Sequence, residues 1–266
     1  MITNQNVIHT VIIAGAGCGD PELITVKAVR YLQEAEVVLT DRLVSQDILD
    51  KYIKPGTEIV FVGKQYHKKS SVPQASINEL IVKYALEGKK VVRLKGGDVA
   101  FFSNVLDEMQ SLKANNIPFE LVPGITAASG ASASAFLPLT ARGHATAVRF
   151  LTVCETVDIP IDYWKELAHT DDTLVFYMSA SSLYDVAILL KDNGIDQTKS
   201  IAVISQATTP FQEVKIFDFT SLDTEALKEP VAMPALLVIG KTVALHREYS
   251  TKQLSNTKAD YFTVLD

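Results

Sequence analysis

Short β-type runs alternate with amphipathic stretches along this chain, and three of the runs end in an acid, two of them with glycines beside it. Val11-Ile12-Ile13-Ala14 leads into Gly15-Ala16-Gly17-Cys18-Gly19-Asp20-Pro21, and Val37-Val38-Leu39-Thr40 into Asp41-Arg42-Leu43-Val44. Val91-Val92-Arg93-Leu94 leads into Lys95-Gly96-Gly97-Asp98. Such β/α alternation implies a parallel sheet with helical crossovers. The carboxyl ends of its strands line one edge, which is where ligands bind in open sheets of this kind. Three separate segments are therefore expected at one site.

The elements follow in order. Residues 25–35 place Val26, Val29 and Leu32 at helical spacing, with Thr25 as a cap. A strand over 36–40, a short helix over 45–52, a strand over 58–62 and a polar loop over 63–72 come next. Ser71-Val72-Pro73-Gln74 reads as a helix start. That helix carries Ile77, Leu80, Ile81 and Tyr84 on one side and stops at Gly88. A strand over 89–94, a helix over 105–115 and a strand over 119–122 complete the first set. Pro123-Gly124 marks a boundary, giving domains 1–123 and 124–245 and a polar tail, 246–266. Residues 125–135, crowded with Ala, Ser and Gly, read as a helix that something approaches closely rather than as a linker. A second set has strands over 148–153, 173–177, 201–204, 214–219 and 235–239, and helices over 161–169, 182–191 and 222–228. The apolar/polar alternation of 214–219 suits a partly exposed antiparallel strand.

Composition narrows the function. The 266 residues are 47% hydrophobic and 21% charged, enough for a packed core in one large or two ordinary domains. A net charge of −6 argues against bulk nucleic-acid or membrane-surface binding. Cys18 and Cys154 form no CxxC pair and the five histidines no HxxxH, so no disulfide framework or metal site is expected. No apolar run approaches the ~18 residues of a membrane span. Residues 1–6 lack a signal-peptide pattern, so a cytoplasmic protein is expected.

Among the motifs, the N-terminal glycines fail the dinucleotide pattern GxGxxG. The third glycine should fall at position 20, which is Asp20, and a carboxylate there repels a pyrophosphate. A tight strand-to-helix turn capped by Asp20 explains the segment equally well. Gly96 and Gly97 let the backbone approach a planar ligand, and Asp98 can accept from a ribose hydroxyl or cap a turn. Asp41 and Lys64 follow strand ends, where acid/base partners and a plain salt bridge are both open, the salt bridge being the simpler. Arg42, Lys64, His67, Lys68, Lys69, Arg93, Lys95, Arg142, His144 and Arg149 fall in strand ends or loops of an acidic chain. Such a cluster suggests a polyanionic small substrate.

Taken together, these segments resemble the tetrapyrrole (corrin/porphyrin) methylases, and within them the uroporphyrinogen-III C-methyltransferases. The likeness runs from Val11 to Leu245 and also includes Val62-Gly63-Lys64, Val122-Pro123-Gly124-Ile125-Thr126-Ala127-Ala128, Leu137-Pro138-Leu139-Thr140, Leu174-Val175-Phe176-Tyr177-Met178 and Ala207-Thr208-Thr209-Pro210. It implies two α/β domains, each a β-sheet flanked by helices, with S-adenosylmethionine in the interdomain cleft and a homodimer as the usual assembly. Matching positions imply cofactor contacts at Cys18 (normally proline), Gly96, Gly97, Asp98, Phe101, Thr126, Ala127, Met178 and Ala207. Asp41 falls on the proposed proton acceptor and Lys64 on the proposed proton donor. Arg42 and Arg142 are candidates for the substrate's carboxylates. The implied reaction is methylation of uroporphyrinogen III at C2 and C7, giving precorrin-2 for sirohaem or cobalamin synthesis.

The chain departs from the family pattern after Asp98, where Val99 to Glu108 replaces Pro-Phe-Val-Phe-Gly-Arg-Gly-Gly-Glu-Glu. Ala141-Arg142-Gly143-His144 replaces His-Arg-Asp-Tyr, and Cys154-Glu155 stands where Gly-His is common. These changes bear on substrate choice more than on cofactor binding. Methyl transfer without a fused dehydrogenase/chelatase is expected. A methylase of a later corrinoid precursor is the alternative within the class. An NAD-dependent oxidoreductase and a non-catalytic tetrapyrrole or S-adenosylmethionine sensor are the alternatives outside it.

Overall fold

The first set of apolar runs forms strands β1 (Val11–Gly15), β2 (Val37–Thr40), β3 (Glu58–Phe61), β4 (Val91–Lys95) and β5 (Phe119–Val122). All pair in parallel, in the order β3-β2-β4-β1-β5. Every residue of β1, β2 and β4 is buried, as a parallel sheet covered on both faces requires. This is a computed structural model, and it describes residues 7–62, 74–153 and 159–250. Lys64, His67, Lys68, Lys69, the predicted helix start at 71–73 and Cys154-Glu155 lie outside the described residues.

Alternation along the strands feeds two cores. Ile12, Ala14, Val38, Val92 and Leu94 pack with Ala28 and Leu32 of α1 (Val26–Glu34) and with Ile48 and Leu49 of α2 (Gln46–Tyr52). Val11, Ile13, Val37, Leu39 and Val91 pack with Ile77 and Ile81 of α3 (Gln74–Leu86) and Leu112 of α4 (Val105–Ala114). Thr25 caps α1 as expected, its hydroxyl accepting from the Ala28 amide. Helical crossovers carry the chain outward through β2 to β3 and then back to β4 and β5. The helices that follow β1 and β4 therefore lie on opposite faces, and these two neighbouring strands form the switch point.

Chain contacts divide the protein after Ala127, a few residues beyond the predicted boundary at 123. The small-residue segment is helix α5 (Ala127–Ser134), as expected. Beyond it come β6 (Val148–Thr152), α6 (Ile161–His169), β7 (Thr173–Tyr177), α7 (Leu183–Asp192), β8 (Ser200–Ser205), β9 (Glu213–Asp218), β10 (Ala235–Gly240) and α8 (Ala244–Tyr249). The second sheet runs β6-β7-β10-β8-β9, and only β6 and β7 are parallel. Edge strand β9 is antiparallel and half-buried, matching its alternating sequence. Trp164 stacks on Phe176 at 6.4 Å in a core shared with Leu167, Val186, Leu190 and Phe219.

One expectation fails here. The helix predicted over 222–228 is only a single turn, Ala226–Lys228. The Asp223 carboxylate takes the Glu225 and Ala226 amides, and Pro230 follows too soon for a second turn. The predicted tail, 246–266, begins within helix α8, and its residues beyond 250 lie outside the described ones. His246 hydrogen-bonds the Ala135 carbonyl, and Arg247 meets both Asp218 oxygens at 3.1 and 2.8 Å.

Candidate active site

The turns after β1, β2 and β4 do meet, because these strands are neighbours. Gly17 and Gly97 exchange backbone hydrogen bonds at 3.1 and 2.7 Å, and Ala16 donates to the Lys95 carbonyl at 2.8 Å. The contact demands glycine. A Cβ on Gly15 would lie 2.6 Å from the Gly97 carbonyl oxygen and 2.7 Å from the Gly124 nitrogen. Gly97 has φ +71°, and a Cβ there would meet nothing nearer than the Ala127 nitrogen at 4.0 Å, so the turn lies beside the Thr126-Ala127 segment with open space at its edge. Gly96 is glycine for a different reason, since a Cβ would come within 2.6 Å of Leu43 Cβ.

Asp98 is buried and holds this arrangement together. One carboxylate oxygen accepts from the Ala100 amide at 2.7 Å and the other from Gly124 at 2.8 Å. Its observed role is therefore the turn cap. Ser45 ties the β2 turn to the β1 turn by donating to the Gly19 carbonyl at 2.7 Å. Asp20 caps the turn Pro21–Leu23 through the Glu22 amide, which is the structural reading of the N-terminal motif. Cys18 is half-buried, and Phe101 is exposed in the altered loop, where Phe102 and Asn104 take positive φ.

Asp41 emerges at the end of β2. Its carboxylate accepts from the Leu43 amide at 3.0 Å and from Gly96 at 3.4 Å to each oxygen. The nearest described cation is Arg93, at 3.7 Å. The predicted basic cluster needs correction here. Arg93 and Lys95 occupy the strand face of Val91 and point into the layer of α3 and α4, not toward a ligand. Both bind the buried carboxylate of Glu108, Arg93 at 3.0 Å and Lys95 at 2.9 Å to each oxygen. Burial, and then the Arg93 guanidinium beside it, hold the Lys95 ammonium below the usual lysine range. Arg149 is likewise engaged, with Asp172 and Glu166 at 2.5 Å each. Arg42 is half-buried. Arg142 is exposed in a turn closed by the Ala141–Ala145 bridge.

In the second unit, β7 and β8 both run antiparallel to β10, so their carboxyl ends share one edge. Met178 follows β7, and Gln206, Ala207 and Thr208 follow β8. Met178, Gln206 and Thr208 have φ of +53°, +45° and +66°, values that non-glycine residues adopt at a cost and that gather at functional sites. Met178 is 59% exposed directly after a fully buried strand. The Tyr177 hydroxyl accepts from the Ala128 amide at 3.0 Å, fixing the start of α5. The Gln212 carbonyl accepts from Ser134 at 2.5 Å and from the Thr208 amide at 2.7 Å, fixing its end.

Sequence reasoning missed Glu108, Leu43, Tyr177 and Gln212. Glu108 had a signal, since basic residues at the i and i+2 positions of a buried strand need a buried partner. Among the described residues, no group of three or more His, Cys, Asp or Glu could hold a metal ion, and no helix is long and apolar enough to cross a membrane.

A glycine turn at the switch point of a parallel sheet places this unit among the open α/β folds, whose ligands characteristically bind at the strand ends. The chain belongs to the tetrapyrrole (corrin/porphyrin) methylase family, whose profile matches residues 10–223. A siroheme synthase of Psychrobacter arcticus is 42% identical over 252 residues, 95% of this chain and 46% of that protein. The chain thus spans about half the length of the curated relatives it matches. The crystal structure of uroporphyrin-III-C-methyltransferase from Thermus thermophilus is similar at a TM-score of 0.75 and 34% identity, covering 93% of this chain and 99% of that one. The same enzyme complexed with S-adenosyl homocysteine gives 0.73 and 33%, over 92% and 96%. A cobalamin biosynthetic enzyme, cobalt precorrin-4 methyltransferase, gives 0.77 and 28%, over 88% and 95%.

Proposed function

We propose that this chain methylates uroporphyrinogen III at C2 and C7 with S-adenosylmethionine, giving precorrin-2 for sirohaem or cobalamin synthesis. The observation that carries the reading is the glycine turn at the switch point, held by Asp98, in a family member whose Thermus neighbour binds S-adenosyl homocysteine. The residues present suit such a ligand: backbone without Cβ at Gly97, and the exposed apolar side chains of Phe101 and Met178.

S-adenosylmethionine supplies a methyl group already activated by its sulfonium. The protein's share is alignment and proton transfer. In the first unit Cys18, Gly96, Gly97, Asp98, Phe101, Thr126 and Ala127 are the proposed contacts; in the second, Met178 and Ala207. A ring π pair forms the new C–C bond, the C–S pair leaves with sulfur, and the ring's positive charge departs as a proton. Asp41 is proposed to take that proton, and Lys64 to act as donor elsewhere in the cycle. Arg42 and Arg142 are assigned to the substrate's carboxylates. Arg93, Lys95 and Arg149 are withdrawn from that role because their partners are internal. A homodimer is proposed on the family resemblance alone.

One observation favours a second substrate, a later corrinoid precursor: the cobalt precorrin-4 enzyme scores slightly higher in structure than the Thermus enzyme, though lower in identity. Incubation with S-adenosylmethionine and uroporphyrinogen III separates the two. The expected product carries two added methyl masses, and Asp41→Asn should slow its formation by about 10²-fold or more. No mass gain rejects uroporphyrinogen III as the substrate.

A further inference from the structure

We infer that Glu108 is a positioning residue for proton transfer: acting through Arg93, and locked by Lys95, it holds the Asp41 carboxylate in one orientation at the carboxyl edge of the first sheet. The inference rests on the role proposed for Asp41.

Four charges form one connected group. Glu108 is fully buried, Arg93 and Lys95 have side chains 5% and 4% exposed, and Asp41 is 20% exposed. The group reaches solvent at Asp41, so the ordered interior charges lead to the one member that faces a ligand edge. Taking ions out of water is costly, and well-packed apolar residues of similar volume are often more stable. Stability alone therefore does not account for the group.

The geometry shows how the inner carboxylate reaches the outer one. The Arg93 guanidinium is a rigid planar fork. Its Nε donates to Glu108 at 3.0 Å, and its Nη1 donates to the Leu94 carbonyl at 2.8 Å and the Leu39 carbonyl at 3.3 Å. Its Nη2 then lies 3.7 Å from Asp41 Oδ2. Fixing one side of the fork fixes the other, and Leu39 lies on the strand that delivers Asp41. Lys95 donates to both Glu108 oxygens at 2.9 Å, which favours this one orientation of the carboxylate. Two cations and two carboxylates balance. Without the Glu108 charge, both cations face Asp41 alone, and its carboxylate should leave the Gly96 amide and close on Arg93.

The test uses the intact chain with S-adenosylmethionine and uroporphyrinogen III. Glu108→Gln should lower kcat about tenfold while KM for both substrates and S-adenosylhomocysteine affinity stay within about twofold. The double variant Asp41→Asn/Glu108→Gln should be no slower than Asp41→Asn, because no carboxylate remains to be positioned. Arg93→Lys keeps the charge against Glu108 but loses the arm toward Asp41, so it should show the same non-additivity and covers the case in which Glu108→Gln fails to fold. Crystal structures of the wild type and Glu108→Gln supply a reading independent of activity, with Asp41 expected to rotate off Gly96. Multiplicative losses in the double variant, or an unmoved Asp41, overturn the inference and leave the proposed function standing. A wild type that does not methylate uroporphyrinogen III overturns the proposed function, and the crystal comparison still decides for or against Glu108.

Discussion

The two units build their strand-end turns from opposite materials. In the first, the turns after β1 and β4 rest on glycine, with Gly17, Gly19 and Gly97 at positive φ and Gly15 pressed against the Gly97 and Gly124 backbone. In the second, Met178, Gln206 and Thr208 take left-handed conformations themselves. Glycine makes the conformation easy but loses more entropy on folding. A side chain in the same conformation costs about 1–2 kcal/mol in the folded state. In return, the second arrangement presents a side chain. The first brings backbone within reach of a ligand, and the second sets Met178 out from a buried strand. The polar support differs likewise: ion pairs around Glu108 in one, neutral hydroxyls and the Gln212 amide in the other.

Paired substitutions should break this contrast if it is wrong. Gly15→Val forces two backbone segments apart and should destabilise the first unit by about 3 kcal/mol or more in urea unfolding. Met178→Gly should do the reverse, stabilising the second unit by up to about 1 kcal/mol while weakening S-adenosylhomocysteine binding. If Met178→Gly destabilises the protein instead, its positive φ is not a stored strain. The smallest expected effect is acid sensitivity of the second unit. The Arg149 guanidinium holds Asp172 below the usual aspartate range. A depressed carboxylate adds stability above the ordinary aspartate range, and that stability is lost as pH falls through the depressed value. Arg149→Met should therefore flatten the acid side of the stability profile, modestly because the pair is partly exposed and screened by salt.

Glycine also explains what could be read from the chain. Gly15, Gly17, Gly96 and Gly97 stand out after apolar runs, so the strand ends, their shared edge and the order of elements up to β5 were legible. The strain at Met178, Gln206 and Thr208 was not, because nothing in those residue types announces a left-handed backbone. The family resemblance names Met178 and, between the other two, Ala207 as expected cofactor contacts, and it carries no sign of their backbone conformation. The mixed pairing of the second sheet was half-legible: the alternation of β9 gave its antiparallel edge, while the antiparallel insertion of β10 between β7 and β8 depends on long-range pairing that no local pattern encodes. Arg93 and Lys95 were misread because basic residues near a strand end resemble a substrate patch. Only the location of Glu108 on α4 shows that they point into the core.

Calorimetric titration of the wild-type chain with S-adenosylhomocysteine and, separately, with NAD distinguishes a methyl-donor site from a dinucleotide site. Saturable binding of S-adenosylhomocysteine and none of NAD is expected, since Asp20 stands where a pyrophosphate would need glycine. Tight NAD binding with no response to S-adenosylhomocysteine would contradict the methyl-donor reading.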